Sequence, residues 1–251
     1  MIKVIMHGCN GRMGQVITGL IAAEEQMEIV AGVDAYNQKE NTYPVYTSLA
    51  DVKEKADVLI DFSSSTVTDS LLEYCVENAL PCVLCTTGLD DAQIKKVQEA
   101  SAKVAILRSA NMSVGINLLM KVLRETTKTL SDAGFDIEIV EKHHNQKKDA
   151  PSGTAIALAD VMREELDSSY EYVYDRSGRR EVRPKKEIGI SAVRGGTIVG
   201  DHDVIFAGCD EVITFSHRAY SRSVFAKGAV EAAKFLAGKG AGLYNMSDVI
   251  G

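Results

Sequence analysis

Residues 1–14, MIKVIMHGCNGRMG, decide how this chain is read. The apolar, β-rich run IKVIM leads without a spacer into Gly8, Gly11 and Gly14, and a helical pattern follows at once. A strand that enters a glycine turn and then a helix offers backbone amides at the helix start, and the helix dipole strengthens their hold on a phosphate. The spacing is GxxGxxG rather than GxGxxG: Cys9 stands where the first glycine of the usual fingerprint would be, with Gly8 one place earlier. Taken alone, such a turn also suits a purely structural strand-to-helix corner. Asp34, about twenty residues beyond the turn at the end of EIVAGVD, favours the dinucleotide reading, because an acid there accepts hydrogen bonds from the adenosine ribose. Asp34 also bears on cofactor choice. A carboxylate repels a 2′-phosphate, and the next residue is Ala35 rather than an arginine, so NADH is the favoured cofactor. Lys39 and Arg12 are the cations available to offset that repulsion for NADPH.

Outward from the turn, further short apolar runs appear: EIVAGVD, DVLIDFS, PCVLCTT and KVAILRS. They alternate with helical patterns over 12–24, 66–78 and 90–102, which predicts a doubly wound, Rossmann-type parallel sheet. After Ser113 the rhythm changes. An amphipathic segment over 115–131 precedes the strand-like FDIEIVEKHH, a helix over about 152–166, and then EIGISAVR, TIVGDHDVIFAG and DEVITFSH. Strands following one another with tight Gly or Asp signals predict an antiparallel or mixed sheet in a second, α+β domain. The last helix, over 223–236, has a small-residue face that suits a return to the first domain. The expected division is 1–113 with 219–251 as the dinucleotide-binding domain, and 114–218 as the substrate-binding and oligomerisation domain.

Composition narrows the function. With 251 residues, 45% hydrophobic and 25% charged, the chain is ordinary globular material. No run reaches the roughly 18 apolar residues of a membrane span, and the N-terminus does not read as a signal peptide, so a cytoplasmic protein without membrane contact is expected. A net charge of −7 argues against a nucleic-acid partner. The five cysteines are odd in number and lack a secreted framework. The pair Cys82 and Cys85 has CxxC spacing, but in an apolar strand residues three apart point to opposite faces, so no metal is expected there.

In this acidic chain the string EKHHNQKKDAPSGTA, from Glu141 to Ala155, concentrates His143, His144, Lys147 and Lys148 where a strand leaves its sheet, just before a small-residue helix start. Amides and hydroxyls at Ser152, Gly153 and Thr154 can cradle a carboxylate, while lysine and histidine neutralise or protonate the ligand. A small anionic substrate follows. His202, between two aspartates, reads as a strand-edge turn. His217 and Arg218, at the expected return to the first domain, are open between a hinge and a cleft lining.

The string HHNQKKDAPSGTA resembles the active-site segment of the dihydrodipicolinate reductases, and the likeness spans nearly the whole chain through GCNGRMG, DFSSSTVT, CTTGLDD, RSANMSVGINLL, VRGGTIVGDHDVIFAG and ITFSHRAYSRSVFAKGA. The resemblance implies NAD(P)H-dependent reduction of a cyclic dicarboxylate in lysine biosynthesis by a homotetramer, with hydride delivered to ring C4 and a proton added afterwards. It implies His143 and Lys147 as the proton-handling pair, and His144, Ser152, Gly153 and Thr154 as substrate contacts. It further implies Gly8, Cys9, Asn10, Gly11, Arg12, Met13 and Asp34 as dinucleotide contacts, with Cys85, Thr86, Thr87, Ser109, Ala110, Asn111 and Met112 near the nicotinamide. Another two-domain dehydrogenase would share the turn and Asp34 but lack the KxDxPSGT string after paired histidines. A non-catalytic dinucleotide sensor would need a basic or partner-binding element that this chain does not display.

Overall fold

A computed structural model of the chain describes residues 1–36 and 39–251. In chain order its elements are β1 (Ile2–His7), α1 (Arg12–Ala22), β2 (Met27–Val33), β3 (Val45–Tyr46), β4 (Val58–Asp61), α2 (Thr68–Glu77), β5 (Cys82–Leu84), α3 (Asp91–Ser101), β6 (Ala105–Arg108), α4 (Val114–Asp132), β7 (Asp136–His143), α5 (Gly153–Glu164), β8 (Glu171–Val173), β9 (Glu187–Arg194), β10 (Gly200–Ala207), β11 (Val212–Ala219), α6 (Ser223–Leu236), β12 (Gly242–Tyr244) and α7 (Met246–Ile250). They form two units, Met1–Val114 with Ser223–Gly251, and Gly115–Arg222. The second division falls after Arg222 rather than after residue 218, because β11 continues to Ala219, which still pairs with Gly200.

The first unit is a seven-stranded parallel sheet in the order β12-β6-β5-β4-β1-β2-β3. Its order reverses between β1 and β4, and open sheets of this kind bind ligands at the carboxyl edge beside such a reversal. Helices on both faces explain the unbroken apolar runs. Val4 and Met6 enter one core with α1 and α6, whereas Ile5 between them enters the other with α2 and α3. The small face of α6, with Ala226, Ala229 and Ala233 fully buried, permits close approach. A Cβ at Gly228 would overlap the Met112 carbonyl. Cys82 and Cys85 do point to opposite faces, the first into the α2–α3 core and the second against the α1–α6 core.

The second unit is a five-stranded mixed sheet, β11-β10-β7-β9-β8, parallel from β7 through β9 to β8 and antiparallel at β7–β10 and β10–β11. One face is covered by α4 and α5, whose Ile116, Leu123, Leu158 and Met162 share a core with Ile137, Ile139, Ile190 and Phe206. Since side chains alternate along a strand, Glu141 and His143 of β7 lie on this covered face, just past its apolar part. His202 is not at a strand-edge turn. It lies inside β10, between β7 and β11, and is 4% exposed. The flanking Asp201 and Asp203 point the other way, to Arg218 and Lys142, so the polar triplet is strand alternation rather than a loop. Arg218 and His217 likewise belong to β11 rather than to a hinge.

Candidate active site

In the first unit the chain turns at Gly8 with φ +79°, a backbone region that side chains rarely adopt, and a Cβ there would lie 2.6 Å from the Phe62 carbonyl. Gly8 N donates to the Val33 carbonyl at 2.8 Å and Gly11 N to the Gly8 carbonyl at 3.1 Å. Gly11 caps α1 without a side-chain hydrogen bond, and no acid occupies the first turn. The helix therefore presents its positive end to the turn. Asp34 closes the far side: its carboxylate accepts from Asn10 N at 2.9 Å and from Tyr36 N at 3.0 Å. Asn10 is held in turn by Lys39 Nζ on its carbonyl and by Asn41 Nδ2 on its side chain, both at 2.9 Å. A cavity of about 320 Å³ opens between Gly8, Gly11, Asp34, Ala35, Tyr36 and Phe62. An uncapped helix start and a glycine cradle that any Cβ would fill suit a dinucleotide pyrophosphate.

Not every expected contact faces this cavity with its side chain. The thiol of Cys9 is fully buried beneath Gly32 and Tyr43, and burial, reinforced by Asp34, pushes it up to about 11. Only the Cys9 backbone is left for a ligand. Arg12 is exposed and Met13 half-buried at the start of α1. Thr86 and Thr87 follow β5, and Ser109, Ala110, Asn111 and Met112 follow β6, so both groups sit at the carboxyl edge of the same sheet. Burial and then Asp61 push the Cys85 thiol well up, which makes it inert. Asn111 Oδ1 accepts from Ser113 N at 2.8 Å, and Met112 is 5% exposed under α6. Asp61 was not anticipated. Wholly buried at the end of β4, it accepts from Ser63 Oγ at 2.6 Å and Thr86 Oγ1 at 2.5 Å and lies 2.9 Å from His7 Nδ1, though that contact is out of line for a hydrogen bond. It ties together the loops after β1, β4 and β5. Its signal is an acid inside the apolar run DVLIDFS.

In the second unit, geometry converges on Glu141. This fully buried carboxylate takes His143 Nδ1 at 2.6 Å, both terminal nitrogens of Arg194 at 2.7 and 2.8 Å, and the Ser152 amide at 2.9 Å. Burial alone would raise its carboxyl, but Arg194, His143 and the Ser152 amide outweigh that and hold it below the usual range. For His143 burial dominates: it lowers the imidazole, Glu141 opposes, and Lys147 and Arg194 lower it further. His202 stands edge-on to His143, with ring centroids 5.2 Å apart, and its Nε2 is 3.0 Å from Ser152 Oγ. Ser152 also caps α5 by accepting from Ala155 N at 3.1 Å. Lys147 Nζ meets the Asp149 carboxylate at 2.8 Å, and this ion pair is the main influence that holds Asp149 below its ordinary value. His144 is half-buried at the head of the loop and Thr154 half-buried in the first turn of α5. The unit thus brings His143, Lys147, Ser152 and Gly153 together. Glu141 and Arg194 were missed, although each is a charge at a core-face position of an alternating strand.

Two family descriptions match the chain: "Dihydrodipicolinate reductase, N-terminus" over residues 2–112 and "Dihydrodipicolinate reductase, C-terminus" over residues 115–250. The chain belongs to the dihydrodipicolinate reductase family. Among its relatives, the 4-hydroxy-tetrahydrodipicolinate reductase of Caldanaerobacter subterraneus subsp. tengcongensis is 54% identical, covering 100% of this chain and 98% of that one. The enzyme of the same name from Clostridium tetani is 48% identical over 98% and 96%. A solved structure, the dipicolinate-bound dihydrodipicolinate reductase from Paenisporosarcina sp. TG-14, superposes with a TM-score of 0.81 at 27% identity, covering 98% of this chain and 97% of that one. This dihydrodipicolinate reductase family member is therefore an oxidoreductase that works with a nicotinamide cofactor. Among the described residues, no helix is long and apolar enough to cross a membrane.

Proposed function

We propose that the chain reduces 4-hydroxy-tetrahydrodipicolinate, which first loses its ring hydroxyl as water to give the unsaturated dicarboxylated ring, to tetrahydrodipicolinate on the diaminopimelate route to lysine. The observation that carries this reading is the ion pair of the half-buried Lys147 with the Asp149 carboxylate at 2.8 Å, close enough to His143 to depress its proton affinity, so this ammonium is placed to hold a carboxylate beside the imidazole. A carboxylate of the ring takes the place of Asp149 there, with Thr154 and His144 beside it, while the expected contact Ser152 is buried, its amide on Glu141 and its hydroxyl capping α5, and supports the loop from behind. The Gly8 to Gly11 turn and Asp34 would hold the dinucleotide by its pyrophosphate and ribose, and a reduced nicotinamide so bound would supply the hydride that ring C4 accepts. Electron density then moves along the conjugated C=C–C=N system toward nitrogen, where the Lys147 ammonium stabilises it. His143 keeps Nδ1–H on the Glu141 carboxylate, which can only accept, and is left with Nε2 for proton exchange. Two substrate carboxylates raise the proton affinity of the buried imidazole, so substrate binding loads the proton that completes the reduction.

NADH is the favoured cofactor because Asp34 flanks the ribose position with no arginine beside it. Lys39, bonded to the Asn10 carbonyl, supports tolerance of NADPH. The same reading makes the enzyme a cytoplasmic homotetramer assembled through the open face of the five-stranded sheet. Val140 and Ile205 lie on that face outside every core cluster, and Val193 and Val212 are exposed. The assay generates the labile substrate in situ with its synthase and follows absorbance of the reduced cofactor. Steady oxidation that requires the synthase product is expected; folded protein that gives none would overturn the assignment. Light scattering is expected to give about four times 27.2 kDa.

A further inference from the structure

We propose that Glu141, clamped by Arg194, is a positioning residue that fixes the tautomer of His143 and ties that imidazole to the loop bearing Lys147. The proposal deepens the catalytic reading of His143 and rests on it. Three segments meet on the one carboxylate. It belongs to β7, receives a bidentate guanidinium from β9, accepts the Ser152 amide at the start of α5, and holds His143 two residues along its own strand. The Arg194 Nη2 that binds Glu141 also donates to the Asp149 carbonyl at 2.6 Å, which joins the clamp to the loop over 144–151. Burying a carboxylate and a guanidinium is a poor route to stability, since apolar side chains of similar volume serve as well or better. A charge pair kept where a histidine needs an acceptor has a different use. A carboxylate has no proton to give, so Nδ1 carries the hydrogen and Nε2 is the atom exposed to chemistry. Gly200 completes the seat, because a Cβ there would lie 3.0 Å from Nε2.

The groups that face His143 are Glu141 on its own strand, Arg194 from β9, His202 from β10, and Lys147 from the loop. Glu141 raises its proton affinity, whereas Lys147 and Arg194 lower it. The test is proton-resolved nitrogen NMR of the imidazoles in the full-length protein, together with the pH profile of kcat/KM. In Glu141→Gln the protonation midpoint of His143 is expected to fall and the fixed Nδ1–H tautomer to be lost. In Arg194→Gln the midpoint is expected to rise. The kinetic limb that disappears in His143→Ala should move the same way in each variant, with kcat reduced roughly 10- to 100-fold and nicotinamide affinity unchanged. Opposite shifts mark a charge effect that general loosening cannot imitate. If Glu141→Gln does not fold, Arg194→Gln alone reads the midpoint. A His143 midpoint and tautomer unchanged in folded variants would overturn the proposal, even in an enzyme that turns over normally. Absence of turnover in wild type would sink the proposed reaction but leave the NMR result to judge the clamp.

Discussion

At His143 and Lys147 the proposed chemistry is separable from cofactor binding. Both side chains sit in the second unit, whereas the glycine turn and Asp34 sit in the first. Replacing either with alanine is therefore expected to lower kcat by about 10²–10⁴ while the Kd for NADH, read by titration calorimetry, stays within about twofold. Loss of cofactor binding in Lys147→Ala would show its role to be wrongly assigned. Cofactor choice is also a residue-scale matter. Ala35→Arg places a guanidinium beside Asp34 and is expected to move the NADPH to NADH ratio of kcat/KM upward by roughly tenfold, the effect of about 1.4 kcal/mol. An unchanged ratio would mean that the 2′-phosphate lies elsewhere. The string that carries the proposed proton-handling pair stood out in the sequence because histidines, lysines and a helix start crowd into it. Asp61, Glu141 and Arg194 were not, since their partners come from strands and loops distant in sequence and appear only when the sheets form.

Among the elements, the corner formed by β1, the turn and α1 was legible because glycine spacing and apolar patterning point to the same structure. Gly14 shows why that corner tolerates no side chain: a Cβ would overlap the carbonyls of Gly8 and Cys9. Gly14→Ala is expected to force the turn open, cost about 1–3 kcal/mol of stability by urea unfolding, and weaken NADH binding at least about tenfold. Wild-type affinity in that variant would contradict the assignment of the phosphate turn. The short elements β3, β8 and β12 were not read, since a run of two or three residues carries no period and these, unlike the three-residue β5 inside PCVLCTT, lie in no longer apolar run, and α7 extends only five residues. His202 was misread for a related reason. Its two aspartate neighbours resemble turn chemistry in one dimension, whereas in β10 they occupy the opposite face.

Over the whole molecule, buried imidazoles set an acid limit. Burial, with His143 adding to it, pushes His202 from its ordinary 6.5 down to about 4. The unfolded chain takes up a proton near pH 6.5 that the folded chain refuses until about pH 4. Stability is therefore fully present above pH 6.5 and declines as pH falls through that window, by about 3 kcal/mol from this group. The Glu141 carboxyl, held below its ordinary 4.5, adds a loss in the same direction at lower pH. Urea unfolding at pH 7 and at pH 4.5 should show the decline in wild type and a smaller one in His202→Gln; equal declines would remove His202 from the explanation. The central claim is that a nicotinamide hydride reaches the ring of a cyclic dicarboxylate. Turnover of in situ substrate with reduced cofactor deuterated at the transferable C4 position, followed by NMR of the product, tests it directly. One deuterium at ring C4 is the expected result, and a product without it would contradict the account.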